Sequence, residues 1–170
     1  MHTLIIYASK HGTTEKCAQE LSQKLKGRID LCNIKKEKLP ELLQYERVII
    51  GGSIYVGRIQ KEISEFCVNN LALLKQMKIG LFLCCMNQKE YDTQLKNAFP
   101  GELIERAESI GNFGAEFIIK DMNFLEKAAI KMVSKALAKE DPSIASIDMK
   151  KDLSFLNRDN INRFIELMNN

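Results

Sequence analysis

Short apolar runs alternate along the chain with longer segments in which apolar residues recur every three or four positions. The short runs predict buried β-strands, and the longer segments predict amphipathic helices. The predicted strands are residues 4–8, 29–34, 48–50, 79–86 and 115–119. The predicted helices are residues 14–26, 59–74, 91–109, 124–137 and 160–168.

This alternation indicates a parallel sheet that is covered by helices on both faces. Over 170 residues it predicts a single α/β domain, 1–170, folded as a three-layer sandwich around a five-stranded parallel sheet. The strand order expected for these elements is 2-1-3-4-5. Ligands bind such sheets outside the carboxyl ends of the strands, beside the point where the strand order reverses. The candidate site therefore lies in the loops after the first, third and fourth strands.

The loop after the first strand places hydroxyl side chains and a glycine directly before a helix. Its residues are Ser9, Lys10, His11, Gly12, Thr13 and Thr14. The first turn of a helix has unpaired N–H groups at the positive end of its dipole, and these groups bind phosphate. Short hydroxyl side chains add donors, and a glycine lets the backbone approach the anion or adopt a positive φ. The loop therefore predicts a phosphate site, and the alternative is a plain helix N-cap at Thr13 or Thr14.

Other phosphate-binding classes are excluded by what this loop lacks. The chain has no G-x-x-x-x-G-K-[ST] motif of a nucleotide triphosphatase, and no G-x-G-x-x-G motif follows the first strand. A phosphorylated response regulator has the same strand order but needs carboxylates at the ends of strands one and three. Ser9 and Ser53 occupy those positions, so that class is excluded as well.

The loops after strands three and four carry groups suited to a flat ring. Between Gly51-Gly52 and Gly57 lie large apolar residues where most loops are polar, which indicates contact with a flat hydrophobic ligand or, alternatively, a loop folded back on the core. After strand four, soft side chains precede amides that can bond a ring edge. The predicted ring-binding residues are Ser53, Ile54, Tyr55, Val56, Gly57, Cys85, Met86 and Asn87. A phosphate loop with two ring-binding loops predicts flavin mononucleotide (FMN), with no residue singled out as a catalytic acid or base.

Composition narrows the function classes further. The five cysteines are odd in number, form no C-x-x-C and have apolar neighbours, which predicts buried reduced thiols. With only two histidines, far from any cysteine pair, we expect no metal site. A net charge of +3, 7% aromatic residues and no Trp argue against nucleic-acid binding. The N-terminal residues lack a basic segment followed by a long apolar core, so we expect no signal peptide and a cytoplasmic location.

Two of these loops resemble the flavodoxin superfamily. Residues 9–15 resemble its [ST]-x-T-G-x-T phosphate loop, with His11 at the usual middle threonine. Residues 51–57 resemble the G-x-S-I-x-x-G of one branch, the flavodoxin-like menaquinone-dependent protoporphyrinogen oxidases. Residues 148–153 are similar to the D-x-x-K-[DE]-V stretch before that branch's final helix. The resemblance implies a flavodoxin-like fold, non-covalent FMN, and oxidation of protoporphyrinogen IX with electrons passed to a quinone in heme biosynthesis.

Two other functions stay open at this point. One is a flavodoxin electron carrier that serves a protein redox partner, although such carriers are generally acidic and this chain has a pI of ≈ 8.5. The other is a binding domain that has lost its flavin.

The helix predicted at residues 124–137 is strongly patterned. Four lysines recur every four residues, namely Lys127, Lys131, Lys135 and Lys139. On the opposite side lie Leu125, Ala129, Met132, Val133, Ala136 and Leu137. The pattern predicts a helix that covers the sheet with its apolar side and presents lysines to solvent. The alternative is a cationic stripe for porphyrin carboxylates or for peripheral contact with the inner face of the cell membrane.

Overall fold

The computed structural model describes residues 1–55, 57–86, 88–117, 119, 122–138 and 152–170. Its strands are β1 (His2–Ala8), β2 (Arg28–Asn33), β3 (Arg47–Tyr55), β4 (Arg58–Ile59), β5 (Lys78–Cys84), β6 (Ser109–Asn112), β7 (Gly114–Phe117) and β8 (Leu153–Leu156). Its helices are α1 (Thr13–Lys24), α2 (Lys61–Asn69), α3 (Leu71–Leu74), α4 (Tyr91–Ala98), α5 (Gly101–Arg106), α6 (Phe124–Leu137) and α7 (Arg158–Met168), and a 3-10 turn covers Leu42–Gln44.

The main sheet has parallel strands in the order β2-β1-β3-β5-β6, and β4 pairs antiparallel with the end of β3. The five parallel strands therefore follow the 2-1-3-4-5 order, and the predicted fold class is confirmed. The order reverses between β1 and β3, which pair with Ala8 opposite Gly52.

Two separate cores explain why the central strands read as apolar runs. Along β1, Ile6 faces the core beneath α2, α4 and α5, whereas Ile5 faces the core beneath α1 and α7. Successive side chains of a strand point to opposite faces, so a strand covered on both sides needs apolar residues at every position. Both residues are fully buried.

The fifth strand of the sheet was predicted in the wrong place. In the range predicted as one helix, 91–109, two helices end at Arg106 and are separated by Phe99 and Pro100, and the chain then enters β6 at Ser109. Residues 114–117 instead form β7, which pairs antiparallel with β8 in a separate two-stranded sheet. The β6 strand is four residues long and lies at the sheet edge, where β5 is its one partner strand among the described residues.

The third strand is longer than predicted, and residues 51–55 are not an open loop. β3 continues to Tyr55 and turns back into β4, so this segment is a β-hairpin with Gly57 at φ +75°. Gly51 and Gly52 lie buried inside the strand rather than in a turn. A Cβ atom on Gly51 would overlap the ring of Phe82, so this glycine makes room for packing. The predicted helix 59–74 likewise begins only at Lys61 and is interrupted at Asn70.

Helix α6 has the predicted bounds, but two residues of its predicted sheet-covering side are exposed. Leu125 and Met132 are 76% and 72% exposed, whereas Ile130 and Ser134 are buried. Leu125 and Met132 therefore do not cover the main sheet, whereas Lys131 and Lys135 are exposed as predicted. Lys139 lies outside the described residues. Within the described part of the chain, no helix combines the length and apolar character that crossing a membrane requires.

Candidate functional site

The loop between β1 and α1 folds around Gly12. This residue has φ +88° and ψ −17°, a left-handed conformation that glycine adopts without strain, and it is the residue that precedes the helix. Its N–H donates to Ser9 Oγ at 3.0 Å, and its carbonyl accepts from the N–H of Lys16 at 2.9 Å. None of the described residues accepts a hydrogen bond from the N–H of Thr13 or Thr14. The helix start therefore has no side-chain cap among these residues, and the N-cap alternative for the two threonines is wrong.

The two threonines at this helix start differ in their contacts. Thr13 Oγ1 donates to the carbonyl of Glu116 at 2.8 Å. Lys16 Nζ also forms an ion pair with Glu116 Oε1 at 2.8 Å, so two contacts join α1 to β7. The Thr14 side chain is 1% exposed and lies near the Cys84 thiol, yet its hydroxyl has no partner in hydrogen-bonding geometry among the described residues. A buried hydroxyl without a partner costs about 1–3 kcal/mol. An anion held at the helix start would satisfy it, so the loop fits a phosphate.

The β3–β4 hairpin is fixed at its base and exposed at its tip. The N–H of Ser53 donates to Gln60 Oε1 at 3.0 Å, and Gln60 Nε2 donates to Ser53 Oγ at 2.5 Å. Ile54 packs partly against the core, whereas the Tyr55 ring is exposed. The Lys10 ammonium lies 4.7 Å from the centre of that ring, a cation–π contact that joins the hairpin to the first loop. Of these two side chains, Ile54 folds back on the core, as the alternative prediction for this segment expected, and Tyr55 does not. Val56 lies outside the described residues.

The segment after β5 directs its thiols inward. Cys85 is 2% exposed, and its Sγ lies 2.6 Å from Gln94 Oε1 on α4. Cys84 faces the other side of the sheet, where its Sγ lies 3.9 Å from Cys17 Sγ. A hydrogen bond with Cys17 and then burial raise the pKa of the Cys84 thiol well above its usual range. Any contact of Cys85 with a ring would therefore come from its backbone.

Two predicted ring-binding residues remain to be placed, Met86 and Asn87. Met86 is half-buried, and Asn87 lies outside the described residues. All five cysteines are buried free thiols, as predicted. Among the described residues, no group of three His, Cys, Asp or Glu side chains could hold a metal ion.

The sheet brings the three segments to one edge. Ala8 of β1 pairs with Gly52 of β3, and Ser53 of β3 pairs with Cys84 of β5, so the segments leave three adjacent strands at neighbouring positions. Sequence reasoning missed the supporting residues Gln60, Gln94 and Glu116. Glu116 is 103 residues away from Thr13, and no local pattern announces such a contact. The role of the predicted site residues in binding FMN stays a prediction.

A parallel sheet of this order, with a phosphate-type loop at its first crossover, is the architecture of flavodoxin-like proteins. The model of the flavodoxin domain family matches residues 4–143, and the chain belongs to this family. FMN is the cofactor of flavodoxin domains, so the FMN prediction is confirmed.

Three individual proteins are similar to this chain. It is 31% identical over 85 residues to protoporphyrinogen IX dehydrogenase [quinone] of Escherichia coli (strain K12), a match that covers 48% of this chain and 47% of the relative. The chain thus spans about half the length of that relative. It is 22% identical over 154 residues to the Leishmania major protein of the same name, covering 85% of this chain and 67% of the relative. The flavodoxin of Streptococcus pneumonia TIGR4 has a similar structure, with a TM-score of 0.51 at 16% identity over 99% of this chain and 97% of that chain.

Proposed function

We propose that this protein is an FMN-dependent oxidoreductase that oxidises protoporphyrinogen IX and passes the electrons to a quinone. The buried, unpartnered hydroxyl of Thr14 at an uncapped helix start carries the cofactor part of the proposal. The names of the two relatives from Escherichia coli and Leishmania major support the substrate and the acceptor. The whole chain, 1–170, would act as one FMN-binding domain.

The first loop would hold the phosphate of FMN. The N–H groups of Thr13 and Thr14 lie at the positive end of the α1 dipole, and the Thr14 hydroxyl adds a donor that is already dehydrated. Ser9, Lys10, His11 and Gly12 complete this segment. Lys10 is exposed, and its ammonium lies 4.7 Å from the centre of the Tyr55 ring, so a positive charge lies between the loop and the hairpin. The chain thereby presents a site that favours a dianion.

The hairpin and the segment after β5 would bind the isoalloxazine ring. Ser53 is held by Gln60 at the hairpin base, and Tyr55 at the tip is exposed and would cover a flat ring. The full set that we assign to the ring is Ser53, Ile54, Tyr55, Val56, Gly57, Cys85, Met86 and Asn87. FMN supplies the redox chemistry when bound, and the protein positions it and excludes water. We assign no side chain as an acid or a base.

Turnover by the FMN-loaded protein tests the proposal. The assay mixes it anaerobically with protoporphyrinogen IX and a menaquinone analogue and follows the fluorescence of the porphyrin product. We expect porphyrin to form only when FMN and the quinone are both present, with FMN-free protein as the control. Protein that holds FMN fully but forms no porphyrin above the quinone-only rate would contradict the proposal.

An electron carrier that serves a protein redox partner is the second candidate. It is favoured by the structural similarity to a flavodoxin over 99% of the chain. A potentiometric titration of the FMN-loaded protein separates the two functions through its Nernst slope. Two resolved one-electron steps would favour the carrier, and a single two-electron step would favour the enzyme.

We place the protein in the cytoplasm, with a surface that contacts the inner face of the cell membrane.

A further inference from the structure

Helix α6 exposes apolar side chains that helices normally bury. Phe124, Leu125 and Met132 are 83%, 76% and 72% exposed. At about 100° per residue these three positions fall within an arc of about 100° on one side of the helix. Lys131 and Lys135 are also exposed and lie at the edge of the same arc. We call these five side chains the α6 outer face.

The packing of the opposite side fixes this orientation. Ile130 is buried in a small core that also contains Ile119 and Met122 and packs against Leu153 of β8. Ser134, one turn after Ile130, is buried as well. The helix therefore already has a packed side, and rotation to hide the α6 outer face would expose this core. A partner outside the described residues must cover the apolar side chains if they are to leave water.

The charges of α6 identify the kind of partner. The helix contains Lys127, Lys131 and Lys135 but only one acidic residue, Glu126. Among the described residues, no carboxylate forms an ion pair with these three lysines. The cores of protein–protein interfaces are depleted of lysine, whereas helices that lie in a membrane surface combine Phe and Leu with lysines that reach anionic headgroups. The α6 outer face therefore fits an anionic lipid surface better than a protein.

The strand that precedes α6 in the chain lies beside the cofactor loop. β7, which precedes α6, contacts the start of α1 through Glu116, whose carbonyl accepts from Thr13 and whose carboxylate pairs with Lys16. We propose that the α6 outer face docks on the surface of an anionic bilayer, with Phe124, Leu125 and Met132 entering the boundary of the acyl chains. This inference rests on the membrane contact proposed above and names the face that makes it; because lipid binding is measured without turnover, it can fail independently of the redox function.

A tryptophan reporter tests the insertion directly, because the chain has no Trp of its own. Phe124→Trp places the reporter in the α6 outer face, and Leu43→Trp places it at an apolar residue of the 3-10 turn that is 75% exposed. The FMN-loaded variants are mixed with vesicles of phosphatidylcholine and phosphatidylglycerol, or of phosphatidylcholine alone. We expect a blue shift, and quenching by brominated lipid, for Phe124→Trp with the anionic vesicles only. Equal behaviour of both variants, or an equal response to neutral vesicles, would overturn the proposal.

Sedimentation with the same anionic vesicles gives an independent measure. The triple variant Phe124→Ser, Leu125→Ser, Met132→Ser should bind about tenfold more weakly or worse, since it loses the inserting side chains. The matched control Leu43→Ser, Val68→Ser removes two exposed apolar side chains elsewhere and should bind like the parent. Undiminished binding of the triple variant would refute the docking surface. A concentration-dependent blue shift of Phe124→Trp without lipid would instead identify a protein contact and refute it too.

Discussion

Replacing Thr14 with valine should raise the stability of the FMN-free protein while weakening FMN binding. The substitution keeps the shape of a β-branched side chain and removes one hydroxyl. That hydroxyl is buried, with 1% of the side chain exposed, and it has no partner among the described residues. Most substitutions in a binding loop lower stability or leave it unchanged, so a gain in stability together with a loss of affinity is a specific outcome.

Both magnitudes follow from the state of this one hydroxyl. Without ligand, its removal relieves an unpaired buried polar group, which should raise the free energy of unfolding by about 1–3 kcal/mol. With FMN, the variant lacks a hydrogen bond to a charged oxygen, worth about 1.5–3 kcal/mol, so the Kd should rise about ten- to hundredfold.

Thr13→Val is the matched control, because Thr13 Oγ1 donates to the carbonyl of Glu116 at 2.8 Å. Its removal should lower the free energy of unfolding by about 1 kcal/mol. Urea unfolding of both FMN-free variants and fluorescence titration with FMN measure the two quantities. If Thr14→Val is less stable than the parent, or binds FMN equally well, Thr14 is not a preformed phosphate donor.

Three further substitutions probe the loop and the core. Gly12→Ala should lose about 1–2 kcal/mol of stability in urea unfolding, because its φ is +88° although a Cβ there meets no atom within 4 Å; Gly101→Ala, equally open but without a positive φ, should not. Burial raises the pKa of the Cys67 thiol from 9.0 to about 12. The folded state then keeps a proton that the unfolded chain loses, so this contribution to stability is full below pH 9 and is lost as the pH rises towards 12. Cys67→Ala should therefore reduce the alkaline fall of the unfolding free energy by about 1.4 kcal/mol per pH unit in that window, and identical slopes would contradict this. Lys10→Ala should weaken FMN binding severalfold at low salt and less at high salt, whereas a salt-independent loss would argue against a charge effect.

The parts of the fold that could be predicted are those with a local signal. β1 and β5 are buried on both faces, so their apolar runs stand out in the sequence. β6 lies at the sheet edge and could not be distinguished from the end of a helix, because only a long-range pairing with β5 defines it. The orientation of α6 depends on a small core completed by Leu153, which is distant in sequence.

The same distinction holds for the candidate site. The loop from Ser9 to Thr14 is contiguous, so its residue types and its place before a helix were visible in the sequence. The hairpin was misjudged because Gly51 and Gly52 have the composition of a turn, while in the structure they lie within a buried strand, Gly51 against Phe82 and Gly52 against Ile59 and Gln60. The inward direction of the Cys85 thiol depends on Gln94 of α4, a contact that composition alone does not reveal.

The most direct test of the phosphate loop compares FMN with riboflavin, which has the same ring but no phosphate. Fluorescence titration of the FMN-free protein gives a Kd for each. Because the helix start offers N–H groups and a dehydrated hydroxyl to the phosphate alone, we predict that FMN binds at least about a hundredfold more tightly. Equal affinities for FMN and riboflavin would contradict a phosphate site between β1 and α1.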